Sequence, residues 1–138
     1  IGIHKDESKL VKVIAGKFEK IEGPINKHNI EPIYFDVEIE KNKEFNFKLS
    51  STHNSFVYLI EGEIKIGIKT HNKVKNSTLA ILAKGEQLKV SALIKSKFLL
   101  ISGKPIGEKI ARGGPFVMNT KSEILQANED YHNGTFVK

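Results

Sequence analysis

A chain of 138 residues with a hydrophobic fraction of 39% suffices for one domain with a core of its own. Its formal net charge is +6, yet Arg112 is the only arginine among 22 basic residues, and nucleic-acid readers lean on arginine for bidentate contacts to phosphate and guanine. No apolar run approaches the ~20 residues of a membrane-crossing helix, and the absence of cysteine excludes disulfides, thiolate metal sites and a cysteine nucleophile.

The lysines stand among acidic neighbours, as in Lys17-Phe18-Glu19-Lys20 and Glu38-Ile39-Glu40-Lys41. They read as a solvated surface rather than as a face for nucleic acid or acidic membrane. A reducing cytosol suits a cysteine-free chain. Residue 1 is isoleucine, and Met118 is the single methionine. The chain is therefore expected to be part of a longer protein.

In chain order the pattern has a period of two almost throughout. In "VKVIAGKF", Val11, Val13 and Ala15 alternate with other residues before Gly16. "IYFDVEIE" sets Ile33, Phe35, Val37 and Ile39 on one face and Tyr34, Asp36, Glu38 and Glu40 on the other. "KEFNFKLS" continues with Phe45, Phe47 and Leu49. "SFVYLIEGEIKIGIK" reads as two strands hinged near Glu61-Gly62, and "NSTLAILAKGEQLKV" as two more around Lys84-Gly85. "SKFLLISGKP" closes the series. Seven to nine short strands about ten residues apart predict an antiparallel sandwich or barrel over about 10–112. A connecting turn is expected at 113–119 and a helix at 120–133. Thr120 and Glu123 form a capping-box pair, Ile124, Ala127 and Tyr131 recur at helical spacing, and Gly134 is the stop.

"GPFVMNTKSEILQANEDYHNGTF" resembles the C-terminal signature of the pirin family, a glycine-proline-phenylalanine-valine-methionine-asparagine-threonine run leading into a helix. "VKVIAGKFEKIEGP" is similar to the opening of the same half-protein, and "SFVYLIEGEIKIG" to its central strand pair. The resemblance covers about residues 10–137. It implies an all-β cupin, a double-stranded β-helix or jelly-roll barrel with one C-terminal α-helix. Pirins are bicupins, and the resemblance is to the second cupin. It implies that iron, held by three histidines and a glutamate, belongs to the N-terminal half, and that this half has generally lost its metal ligands. It also implies kinship with quercetin dioxygenases and, for animal members, with nuclear cofactors of transcription factors. Location is expected to be cytoplasmic, or nuclear in a eukaryote.

A working cupin supplies two histidines and a glutamate from one strand pair and a third histidine from a later strand. Neutral imidazoles and a carboxylate suit divalent iron, manganese or nickel with open positions. In "SSTHNSFVYLIEG" His53 is present, but Ser55 stands where a second histidine or the glutamate would be sought. "KGEQLKVSALIKSKF" holds no histidine for the later strand. His53 is the one weak metal candidate and reads better as a rim residue bonded to a loop carbonyl or to solvent. His4, His28, His71 and His132 fall in loops or at the helix end. Glu61 and Glu63, flanking Gly62, read as solvated hairpin residues rather than an acid–base pair. Gly113-Gly114 precedes a helix, as anion-binding loops do, but Pro115 to Asn119 intervene, and Phe116, Val117 and Met118 look built for burial against an edge of the barrel.

Catalytic, cofactor-binding and metal residues are thus expected to be absent from this chain. Three functions remain: a non-catalytic cupin half that completes the fold and cleft of a bicupin, a stand-alone cupin oxygenase or isomerase using His53, and a protein-interaction module presenting the basic surface. The expected partner is an N-terminal cupin half or a second copy of the chain, because a lone half should expose an apolar face.

Overall fold

The computed structural model describes residues 1–25, 29–68 and 72–137. His28 and His71 lie outside the described residues. The chain divides into two compact units, Ile1–Pro105 and Ile106–Lys138.

The first unit is all β. In chain order its strands are β1 (Gly2–Lys5), β2 (Lys9–Ala15), β3 (Lys17–Phe18), β4 (Ile21–Glu22), β5 (Ile33–Ile39) and β6 (Glu44–Lys48). Then come β7 (Asn54–Glu61), β8 (Glu63–Ile66), β9 (Asn72–Lys75), β10 (Thr78–Ile81), β11 (Gln87–Ala92) and β12 (Ser96–Gly103). Six form one sheet in the order β1-β2-β5-β12-β7-β10, and four form another in the order β6-β11-β8-β9. All of these pairings are antiparallel. Every strand read from alternation is present. Those that alternation missed include β1, β9 and the two-residue pair β3–β4. β1 and β9 are edge strands of four residues carrying one isoleucine or one valine, too few apolar side chains for a period to appear.

Alternation decides the inward face. Val11 and Val13 of β2, Phe35, Val37 and Ile39 of β5, Val57 and Leu59 of β7, and Phe98 and Leu100 of β12 are all buried. They meet Phe45, Ile64, Leu88 and Val90 of the second sheet in one cluster. A phenylalanine group sits at its centre: Phe18 stacks on Phe45 at 5.6 Å, and Phe98 and Phe47 present edges to Phe45 and Phe35 at 5.6 and 5.0 Å. Edge-to-face and offset pairs of this kind add to what burial alone contributes.

On the opposite face of the six-stranded sheet the lysines are paired. Lys12 and Lys97 lie 3.5 and 3.6 Å from the Asp36 carboxylate, and Lys97 also reaches Glu38 at 3.4 Å. The Asp36 carboxylate, followed by Glu38, holds the Lys97 ammonium above its usual range. The β7–β8 hairpin turns at Gly62, whose φ of +105° and close approach to the Ser96 side chain leave no room for a Cβ. Glu61 is exposed and Glu63 reaches Lys73 at 3.8 Å, as hairpin residues do.

Asp6 ties the β1–β2 turn together. Its carboxylate accepts hydrogen bonds from the Ser8 hydroxyl at 2.6 Å, the Ser8 N–H at 2.7 Å and the Lys9 N–H at 3.0 Å. The two Ser8 bonds, the hydroxyl first, hold its carboxyl well below the ordinary 3.8.

In the second unit β13 (Ala111–Gly113) pairs with β14 (Phe116–Met118), and α1 spans Lys121–His132. The stretch 113–119, read as a connecting turn, therefore contains a strand of its own. Gly113 ends β13, and the turn itself is Gly114-Pro115. Val117, read as buried with its neighbours, is 63% exposed. In a strand it points away from Phe116 and Met118, which pack with Ile124, Ala127 and Ala111. Thr120 caps α1 by accepting from the Glu123 N–H at 3.2 Å, while Glu123 accepts from the Thr120 N–H at 2.8 Å. At the other end the Gly134 N–H reaches Tyr131 and the Thr135 N–H reaches Asp130, with Gly134 at φ +70°. This is the paired bonding of a Schellman ending.

Replacing Thr120 by alanine is expected to weaken the helix by about 1 kcal/mol, read as a loss of helical ellipticity and a lower urea midpoint. Asp6→Asn is expected to lower stability at neutral pH, with the gap to the parent closing in strong acid. Because the folded carboxyl is depressed, its stabilisation is complete above the unfolded value and is lost as pH falls toward the folded one. Urea melts of both proteins across the acid range measure that closure.

Candidate functional site

One end of the first unit gathers three buried polar side chains that sequence patterning singled out only in part. β7 begins at Asn54, so its inward positions start at Ser55, and β12 ends with Ser102 facing inward. The two serines are register partners, and their hydroxyls are 2.7 Å apart. His53, immediately before β7, turns its ring onto the same spot, with Nδ1 3.2 Å from the Ser102 hydroxyl. A turn at Ser50–His53 delivers it: the His53 N–H donates to the Ser50 carbonyl at 3.1 Å. His53, Ser55 and Ser102 are each more than nine-tenths buried.

His53, expected at a rim and bonded to a loop carbonyl or solvent, lines a cleft with its ring buried, and its partner is a serine hydroxyl. Its other nitrogen, Nε2, is buried and has no hydrogen-bond partner among the described residues. The Glu31 carboxylate lies 3.6 Å from it, beyond hydrogen-bond range. Glu31 sits at φ +48° just after Ile30, whose carbonyl accepts from the Lys104 N–H at 2.7 Å. Around this corner opens a cleft of about 560 Å³ lined by Glu31, Ile33, Lys48, Leu49, His53 and Glu86 among others. Patterning missed Ser102 and Glu31. Parity could have found Ser102, since Ser96, Phe98, Leu100 and Ser102 alternate inward along β12. Glu31 lies in a connection and carries no such signal.

Two other histidines are spent elsewhere. His4, expected in a loop, lies on strand β1 opposite Val11, between Asp6 at 3.1 Å and Glu19 at 3.3 Å, its ring edge-on to Phe18. The His132 ring nitrogen meets the Asn128 carbonyl at 2.7 Å within α1. Gly113 is a packing residue, because the methyl of Ile124 occupies the space a Cβ would need.

The donor set around His53 does not fit iron. An open mononuclear site calls for three protein donors. Here one imidazole nitrogen faces one carboxylate, and the ring's other nitrogen meets the Ser102 hydroxyl, itself bonded to that of Ser55. Among the described residues no group of three or more histidines and carboxylates converges to hold a metal ion.

Residues 34–137 match the pirin C-terminal cupin domain. The chain belongs to the pirin family. It is 32% identical over 96% of its length to a pirin-like protein of Caulobacter vibrioides, of which it spans 47%. It is likewise 32% identical to the pirin of Mus musculus over 89% of the chain and 43% of that protein. Its fold superposes on the crystal structure of quercetin 2,3-dioxygenase from Acinetobacter baumannii with a TM-score of 0.83, at 30% identity, covering 99% of this chain and 47% of that one. The chain thus spans about half the length of the pirins it matches, and the two-sheet first unit is a cupin jelly roll. No helix among the described residues is long and apolar enough to cross a membrane.

Ser102 carries two of the hydrogen bonds in this pirin corner and Ser55 one. Ser102→Ala is accordingly expected to cost about 1–3 kcal/mol, through an orphaned imidazole nitrogen and an orphaned hydroxyl. Ser55→Ala should cost less. Chemical denaturation of the two single variants ranks them.

Proposed function

We propose that this chain is the C-terminal cupin half of a bicupin, without a metal site of its own, completing the fold and cleft around an N-terminal half that carries iron and any quercetin-dioxygenase-like activity. The observation that carries the reading is the donor set at the corner: the inward positions beside His53 hold Ser55 and Ser102, whose hydroxyls bond each other while Ser102 also meets the ring. The spans of about half the relatives' lengths support it as well.

Apolar side chains on the solvent face of the six-stranded sheet support a cupin-sized partner, either that N-terminal half or a second copy. On that face Leu79 pairs with Tyr58 and Ile81 with Phe56. Leu79 is 52% and Ile81 81% exposed, on strand β10 at the sheet edge. An apolar stripe on an open edge tends to find a partner.

Exposure to iron(II), manganese(II) or nickel(II) followed by desalting and elemental analysis is expected to leave well under one metal per chain, unchanged by His53→Ala. Stoichiometric metal lost on that substitution would instead favour a stand-alone metalloenzyme. In sedimentation velocity the chain is expected to associate as concentration rises, and Leu79→Lys with Ile81→Lys to shift it toward monomer. A monomer at every concentration would count against the exposed face as a self-association surface.

A further inference from the structure

The geometry points to the cleft at His53 as a binding site for an uncharged, hydroxyl-rich small molecule such as a sugar or polyol, anchored on His53 Nε2 and guarded by Glu31. A buried ring nitrogen without a partner is costly, and this one has its other nitrogen fixed by Ser102 at 3.2 Å. The ring is therefore held in orientation, with His53 on the cleft wall and Nε2 on its Glu31 side, closed to solvent. What stands there is the Glu31 side chain, 70% exposed and 3.6 Å away. A side chain that free can swing aside and uncover the nitrogen.

The lining sets the ligand class. Lys48 donates, Glu31 and Glu86 accept, and Ile33 and Leu49 offer an apolar wall. An anion would meet two carboxylates, and a cation would meet Lys48. A hydroxyl both donates and accepts, so it satisfies Nε2 in either ring tautomer and still serves a carboxylate. Carbon faces of a sugar ring suit the Ile33–Leu49 wall. A cleft of about 560 Å³ falls within the range of small-molecule sites.

Methyl β-D-glucopyranoside titrated into the ¹⁵N-labelled chain is the probe, with acetate as the charged comparison. The expected result is a saturable millimolar shift of the His53 ring nitrogens and of the Ser50, Ser51 and His53 amides, and none with acetate. His53→Ala should abolish the shifts at Ser50 and Ser51. If that variant unfolds, Glu31→Gln on the exposed side chain decides: it keeps the shape, weakens the acceptor, and should reduce affinity several-fold. Lys121→Ala, in the second unit, should leave binding unchanged. No saturable shift with the glucoside overturns the site. Saturation by acetate instead overturns the ligand class, and unchanged affinity in Glu31→Gln overturns the role given to that carboxylate.

Discussion

Strand β12 is the piece on which the rest of the first unit depends. It lies inside the six-stranded sheet, pairing with β5 on one side through seven register partners from Ser96 to Ser102 and with β7 on the other from Lys97 to Gly103. Its inward residues run serine, phenylalanine, leucine, serine. The two apolar ones, Phe98 and Leu100, are fully enclosed and join the sheets through the phenylalanine cluster. The flanking serines finish the ends of the strand. Ser96 hydrogen-bonds Glu63 at the Gly62 hairpin, and Ser102 meets Ser55 and His53. One strand therefore sets the core, the hairpin closure and the polar corner together. A shift of one residue would turn both serines outward and bring Lys97 and Leu99 inward.

The polar corner follows from backbone register. The strands deliver side chains to a common point at one end of the jelly roll, because register decides where those positions face. Two serines occupy them here. Their hydroxyls are small enough to bond across the sheet at 2.7 Å, and they leave one imidazole nitrogen over. A buried network fully satisfied but for one atom is stiff and asymmetric, and that asymmetry is why the corner reads as a place where something else can bind.

The second unit is a lesson in the same alternation applied to a short hairpin. Seen as a string, Phe116, Val117 and Met118 are three apolar residues in a row. Paired with Ala111–Gly113, they split between two faces. Phe116 goes to the helix, with rings of Tyr131 and Phe136 at 6.0 and 5.0 Å, and Val117 goes outward. Gly113 belongs to that arrangement because the strand can come close to Ile124 only where there is no side chain.

Period-two patterning by itself determined the long strands, the inward faces of β2, β5, β7 and β12, and an all-β class. Capping chemistry determined the helix to within a residue at each end, since Thr120, Glu123 and Gly134 act on neighbours in sequence. The run from Gly114 to Phe136 determined the family. What only the tertiary structure decided are the features made by residues far apart in the chain. Ser102 meets His53 across 49 positions, Glu31 comes to Nε2 from a connecting loop, and the edge strands β1 and β9 form because a neighbour offers hydrogen bonds rather than because their own side chains alternate. Local interactions are written in local sequence, whereas a cross-strand contact depends on register, and register is a property of the whole sheet.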